Sequence, residues 1–504
     1  MSDLFLHSFL FGFATLISRA LGLFRDILFA HYYGISAEYD AYLIAILFPF
    51  FLRKIFAEGA LSSAFIPLFS RKEGKDAQVF FSTAIWATLI CTGIIYLPVL
   101  FFSDSVAFIL GSGLDKETIY LAGYLMKFTY PFIVFISLWA IVAGVLNNKD
   151  SYFIPAFAPS LSNISTIIFT AFSFMFVPQV LGPTIGFVVG GFLQFIFVMF
   201  FLKRYGMKIT FDFNIKYLKQ ILVLMGPALL GVAISSLNSL VDTNIATWTG
   251  KGGVSTIQYA LRIYQLPLGI FGVSVANSLL PKLSNAIKNE NNTLFSKYLS
   301  ESVSLLLFFT IPSALGMIFM GNGLVSLLYE HGSFGYEDTL ITAKVLMAYA
   351  IGLPFYSLYG IFVKTYHSNL NTKFPTLVSV FMLLINIVLD IVFAIKFGVV
   401  GIALATSIAG FFGVIMVGYA SIKKMKKSDF IEIFKIFLCG ILMVIFILLF
   451  DNFVFSKMMV LMQLILAVTV FFISAYLFKV KTLEQALKIL KLRRSIPVIR
   501  KDKG

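Results

Sequence analysis

Charge is what this sequence has least of. Asp, Glu, Lys and Arg make up 12% of its 504 residues, against about 25% in soluble globular chains. Cysteine is nearly missing too. Cys91 and Cys439 both sit in apolar runs, which excludes a disulfide framework and a cysteine-built metal site. The four histidines are scattered and show no H-E-x-x-H spacing, and no G-x-x-x-x-G-K-[ST] loop occurs. A zinc-hydrolase helix and an ATP site of its own are therefore not expected. The opening MSDLFLHSFLF lacks a basic n-region and a small-residue cleavage site, so no cleavable signal peptide is expected.

What is present is apolar sequence. Hydrophobic residues are 59% of the chain and the mean hydropathy is +0.93. Apolar runs of about 20 residues recur from end to end, the length that crosses a bilayer as a helix. They replace the two-residue alternation of barrel strands, which argues against a β-barrel. The chain reads as an all-α polytopic membrane protein with about fourteen transmembrane helices. Its net charge of +15 could suggest nucleic acid. The alternative, adopted here, is cytoplasmic loops biased by the positive-inside rule. With the N-terminus inside, Arg71/Lys72/Lys75, the cluster from Lys203 to Lys219, Lys282/Lys288/Lys297 and Lys423/Lys424/Lys426/Lys427 all fall on cytoplasmic loops, and the outer loops are almost free of Lys and Arg. Both termini are thus expected in the cytoplasm.

An internal repeat sets the domains. Pro131 and Pro354 are 223 residues apart, and so are Asn163 and Asn386. PLFS at 67–70 resembles PKLS at 281–284. The period is about six spans, so both copies enter the membrane in the same direction. Two pseudo-symmetric six-helix lobes are expected over 1–205 and 206–427, with a helix pair at 428–478 outside the repeat. A basic amphipathic tail follows at 479–504. It reads equally as a helix on the anionic leaflet and as a solvated positive-inside tail.

The scarce charges concentrate where they cost most. Ser18 to Glu58 holds two long apolar segments that carry Arg19, Arg25, Asp26, Asp40, Arg53, Lys54 and Glu58. A charge near the bilayer centre costs about 3 kcal/mol on insertion scales. Several are kept when they line a polar cavity. Arg suits phosphate oxygens and cannot shed its proton, so Arg19, Arg25 and Arg53 are assigned to an anionic lipid-linked substrate. The competing reading pairs Arg25 or Arg19 with Asp40, and Arg53 or Lys54 with Glu58. The second lobe differs. Asp242 takes the repeat position of Arg25, Asn386 and Asp390 lie four apart on one helix face, and Thr406 follows. This all-oxygen set suits a hard cation, sodium or alternatively a proton; a hydrogen-bonded packing cluster is the other reading. Arg262 is the second lobe's buried cation, placed either against Asp242 or in the substrate cavity. Mid-span prolines (Pro49, Pro131, Pro159, Pro227, Pro267 and Pro354) are expected to bend or break helices.

SRALGLFRDILFAHYYG, YDAYLIAILFPFFLRKIFAEGALSSAFIPLFS, FAPSLSN and YALRIYQLPLGIFGVSVANSLLPKLS together resemble the MurJ/MviN-type lipid II flippases of the multidrug/oligosaccharidyl-lipid/polysaccharide exporter superfamily. The resemblance covers nearly the whole chain. It implies a multi-pass protein of the bacterial inner membrane that exports the undecaprenyl-pyrophosphate-linked peptidoglycan precursor. It places the family's cavity arginines on Arg19, Arg25, Arg53 and Arg262 and their acidic partner on Asp40. It places a sodium site on Asp242, Asn386, Asp390 and Thr406, with the carbonyl of Ile402. The family's paired arginines after Leu-Pro-Asn are here Arg53-Lys54 after Phe48-Pro49-Phe50, and Lys lacks the bidentate fork.

The expected function is flipping of lipid II by alternating access, driven by the membrane potential or a cation gradient, with sodium as the coupling ion and no other cofactor. The expected partners are lipid II, membrane lipids and, as candidates, wall-synthesis enzymes, for a monomer that binds no nucleic acid. A cation-coupled drug exporter should prefer an acidic cavity, and this first lobe is basic. A flippase for O-antigen-type lipids shares the pyrophosphate and is separated only by the motif. A lipid-using transferase would need catalytic carboxylates at the membrane surface, and none stand out. A non-transporting scaffold would not need buried arginines.

Overall fold

The computed structural model describes residues 2–56, 60–454 and 456–494. Every regular element among them is helical: α1 (Ser2–Tyr33), α2 (Ala37–Phe56), α3 (Ala60–Phe69), α4 (Gly74–Leu110), α5 (Lys116–Thr129), α6 (Pro131–Asn148), α7 (Phe153–Ala171), α8 (Leu181–Leu202), α9 (Ile215–Ala246), α10 (Gly253–Pro267), α11 (Val273–Lys288), α12 (Asn292–Phe319), α13 (Gly321–Tyr329), α14 (Tyr336–Ser368), α15 (Lys373–Phe397), α16 (Val399–Ile422), α17 (Lys427–Asp451), α18 (Lys457–Leu477) and α19 (Lys481–Arg494). Eleven helical spans among the described residues are long and apolar enough to cross a membrane. Adding α1, α2 and α9, each of crossing length, brings the number to the expected fourteen. Large apolar side chains are widely exposed, among them Phe101, Ile395 and Leu449. On a soluble protein such coverage would be a liability; in a bilayer it is the lipid-facing surface.

Helix starts follow local chemistry. The Asp115 carboxylate accepts the Thr118 N–H at 3.0 Å and begins α5, and the Asn291 side chain accepts the Leu294 N–H at 2.8 Å and begins α12. Such caps satisfy backbone donors that have no partner inside the helix. The short link between α15 and α16 turns at Gly398, whose φ of +60° is the left-handed region open to glycine.

The prolines divide into two groups. Span four, expected as one helix over about 118–146, runs over Lys116–Asn148 with its hydrogen-bond ladder interrupted at Tyr130: α5 ends at Thr129 and Pro131 opens α6, where a missing N–H costs nothing. After Pro267, residues Leu268–Gly272 form a π-turn before α11. Pro49, Pro159 and Pro354 instead stay inside continuous helices. The segment between spans nine and ten, read as loop, contains the nine-residue helix α13. The connection after α8 begins with a 3₁₀ turn at Lys203–Tyr205 and is held on α4, with the Trp86 indole N–H donating to the Thr210 carbonyl at 2.8 Å and Phe211 stacked on Trp86. Glu58 and the tail beyond 494 lie outside the described residues.

By contacts the chain forms two compact units. One takes the chain up to Tyr259 together with Tyr329–Asp338 and Asp390–Ile402; the other takes Ala260–Leu328, Thr339–Leu389 and the chain from Ala403 onward. The first is packed through aromatic stacks such as Phe132 on Phe187, with ring centres 3.9 Å apart. The second has a core of Leu283, Leu299, Leu306, Ile361 and Val417. A further cluster there, around Phe308, Ile436, Met443 and Phe471, fastens α17 and α18 to α12.

Candidate functional site

In the first unit the site is built on α1. Arg25 lies most of the way along that helix and its side chain is 16% exposed. A guanidinium so placed needs acceptors on more than one side. Asp26, 2% exposed, takes two of its donors, at 3.0 Å from Nε and 2.8 Å from Nη2. The third contact is Nη1 to the Asn163 side-chain oxygen of α7 at 3.1 Å. Asn163 is itself fixed, because its Nδ2 donates to the Ser18 carbonyl at 3.0 Å. The fork is thus held from α1 and from α7, with the Phe29 ring 6.0 Å away. Arg19 is exposed on the same helix, and Arg53 on α2 is half-buried with the Phe50 ring 5.8 Å from its guanidinium. The side chains of Lys54 and Lys127 are exposed.

Asp40 does something else. It is fully buried, and its two carboxylate oxygens accept the Gly252 N–H at 2.6 Å and the Ser255 N–H at 2.8 Å. These donors stand at the start of α10, where a carboxylate offsets the helix dipole. The pairing of Arg25 with Asp40 considered from the sequence is corrected: the charge partner of Arg25 is Asp26, its chain neighbour. Asp40 anchors the helix that carries the half-buried Arg262. Around it Tyr39 stacks on Phe29 and on Tyr42, and the Tyr259 hydroxyl donates to the Gly34 carbonyl at 3.1 Å.

The oxygen-rich set separates in a similar way. Asp242 and Asp390 belong to the first unit and lie within hydrogen-bonding reach of each other. Asn238 Nδ2 donates to one Asp242 oxygen at 3.0 Å, while the other finds no hydrogen-bond partner among the described residues. Ile402 is also in this unit and fully buried. Asn386 and Thr406 belong to the second unit. Asn386 shares α15 with Asp390, one turn away, is 1% exposed, and has both amide atoms without a hydrogen-bond partner among the described residues. A half-buried Asp242 beside the fully buried Asp390 is repelled by it unless a cation or a shared proton stands between them. Either occupant would relieve the Asp242–Asp390 pair.

Sequence reasoning missed Asn163 as a contact of Arg25. The available signal was its place in the repeat, opposite Asn386. In the second unit, α12, α17 and α18 line a half-open apolar cavity of about 300 Å³, formed by Phe308, Met317, Met443, Ile447, Leu464 and Phe471.

The family model for the lipid II flippase MurJ matches residues 29–477. The lipid II flippase MurJ of Thermosipho africanus is 42% identical over 479 residues, spanning 95% of this chain and 97% of that protein. The probable lipid II flippase MurJ of Thermotoga maritima is 34% identical over 482 residues, spanning 95% and 97%. A solved structure of lipid II flippase MurJ in an inward closed conformation matches with a TM-score of 0.84 at 41% identity, over 93% of this chain and 98% of that one. An inward-facing multidrug transporter of the MATE family matches with a TM-score of 0.67 at 15% identity, over 81% and 95%; that likeness is one of fold.

Proposed function

The chain belongs to the lipid II flippase MurJ family, and we propose that it flips lipid II by alternating access, with Arg19, Arg25, Arg53 and Arg262 holding the diphosphate. It is a multi-pass membrane transporter, not an enzyme. The observation that carries the site assignment is the preorganised Arg25. Its guanidinium is positioned by Asp26 and Asn163 in a segment where an unneeded buried cation would be selected against. Asp40, through the start of α10, positions the helix bearing Arg262 and makes no direct claim on the anion.

The reading extends to the rest of the chain. The lobes 1–205 and 206–427 alternate between two openings, with both termini in the cytoplasm. The head group enters from the cytoplasmic leaflet and leaves on the periplasmic side. The polyprenyl tail stays in lipid against the pair 428–478, a placement favoured by the apolar cavity beside α17 and α18.

Sodium is the proposed coupling ion, held by Asp242, Asn386, Asp390, Thr406 and the Ile402 carbonyl; the unpartnered oxygens of Asp242 and Asn386 support this. A bound cation supplies positive charge between two carboxylates, and it biases the cycle only by binding one state more tightly. The test is complementation of a strain depleted of its own lipid II flippase. Expressed wild-type chain restores growth. Failure of well-folded wild type would overturn the substrate assignment, and growth supported by Arg25→Ala would overturn the site.

A further inference from the structure

Two of the four histidines meet in space although 300 residues separate them. His31 is in the last turn of α1. His331 is in the turn that follows α13. Their ring centres are 5.5 Å apart at an interplanar angle of 73°, and both side chains are exposed.

The turn is tied to the end of α1 by backbone. The Ser333 N–H donates to the His31 carbonyl at 2.8 Å, and the Ser333 hydroxyl donates to the Tyr32 carbonyl at 3.1 Å. Gly332 crosses directly over the His31 ring: a Cβ there would stand 2.4 Å from His31 Nδ1. Its φ of +63° also lies in the left-handed region that favours glycine. The two rings are held near each other by main chain, not by chance rotamers.

The tautomer of His331 follows from its partner. Nδ1 lies 2.7 Å from the Tyr329 carbonyl. A carbonyl only accepts, so Nδ1 carries the proton and Nε2 carries the lone pair. A second hydrogen bond that orients an imidazole and exposes its other nitrogen is how ligating histidines are prepared. The spacing agrees. With metal–nitrogen bonds of about 2.0–2.1 Å and tetrahedral angles, two imidazole ring centres on one ion stand about 5 Å apart.

We propose that His31 and His331 form a binding site for a borderline divalent transition-metal ion, of the zinc, nickel or copper class that imidazole prefers. Among the described residues no cluster of three His, Cys, Asp or Glu side chains includes them. Water completes the coordination, and the ion exchanges freely instead of holding the fold together. A bound ion clamps the turn after α13 to the end of α1.

The test uses purified full-length chain titrated with Cu²⁺ alone and read by electron paramagnetic resonance. The expected spectrum has two equatorial nitrogens. It loses one in His31→Gln and one in His331→Gln, with affinity falling by at least ~10-fold, and it is unchanged in His367→Gln. A wild-type spectrum with fewer than two nitrogens, or one unmoved by both variants, overturns the site. Should the variants not fold, the wild type still decides. Zn²⁺ must protect His31 and His331, and not His367, from diethyl pyrocarbonate; full modification of both in the presence of Zn²⁺ overturns the proposal.

Discussion

Arg25 shows how a buried charge is made useful. Its three hydrogen bonds come from one chain neighbour and one residue of α7, so the fork is held in place without any ligand. Losing one partner of a desolvated, hydrogen-bonded charge pair costs about 2–5 kcal/mol. Arg25→Ala should therefore weaken head-group binding by well over tenfold, read as binding of lipid II to the purified protein. Asn163→Ala should cost about 1–3 kcal/mol of stability, because the Ser18 carbonyl and Arg25 Nη1 both lose a partner; thermal melts in detergent measure it. At the cation set, Asp390→Asn should abolish stabilisation by sodium, and a melting temperature that still rises with sodium would remove the ion from the account.

Residue identities were legible here because charge is so rare in the chain. Arg19, Arg25, Arg53, Asp242 and Asp390 stand out against apolar sequence with no alignment needed. Their partners were not. Asp40 is a plausible mate for a nearby arginine in sequence, yet it is taken by two N–H groups more than two hundred residues away. Such a contact depends on the tertiary path of α10. Asp26 is adjacent to Arg25, and neighbours on a helix point in different directions, so only the bend of the long arginine side chain lets them meet.

At the scale of elements, the spans were readable from apolar length and their interruptions were not. Pro131 separates two helices and Pro354 does not, although the repeat gives them equivalent places. Proline removes one donor in either case; what neighbouring side chains do with the freed carbonyl decides whether the helix stops. The helix α13 was hidden because nine residues cannot show a span's length. Close approaches set a further constraint. A Cβ on Gly401 would stand 2.2 Å from the Phe393 carbonyl oxygen. Gly401→Ala should push α16 off α15 and cost about 1–3 kcal/mol, seen as a lowered melting temperature.

The cap of α5 gives a pH dependence. The Thr118 N–H and hydroxyl hold the exposed Asp115 carboxyl below its usual range. A depressed carboxyl contributes stability above its unfolded pKa and loses it as pH falls through the lower folded value. Melts from neutral to acid pH should thus show a component that Asp115→Ala removes. That substitution should itself cost about 1 kcal/mol at neutral pH, and a wild-type and variant pair with parallel acid profiles would refute the cap.

For the molecule as a whole, the proposed function gives the two sequence repeats different ions: arginines concentrate in the membrane segments of residues 1–205, while Asp242, Asn386 and Asp390 lie within 206–427. On that reading the arginine forks of the first repeat take the pyrophosphate, whose oxygens suit guanidinium geometry. The measurement that tests this most directly is lipid II flipping in proteoliposomes containing the wild-type chain or Arg25→Ala at matched, folded amounts. The wild type should move lipid II across the bilayer, and the variant should do so at no more than a tenth of that rate. Equal rates for the two proteins would contradict the account.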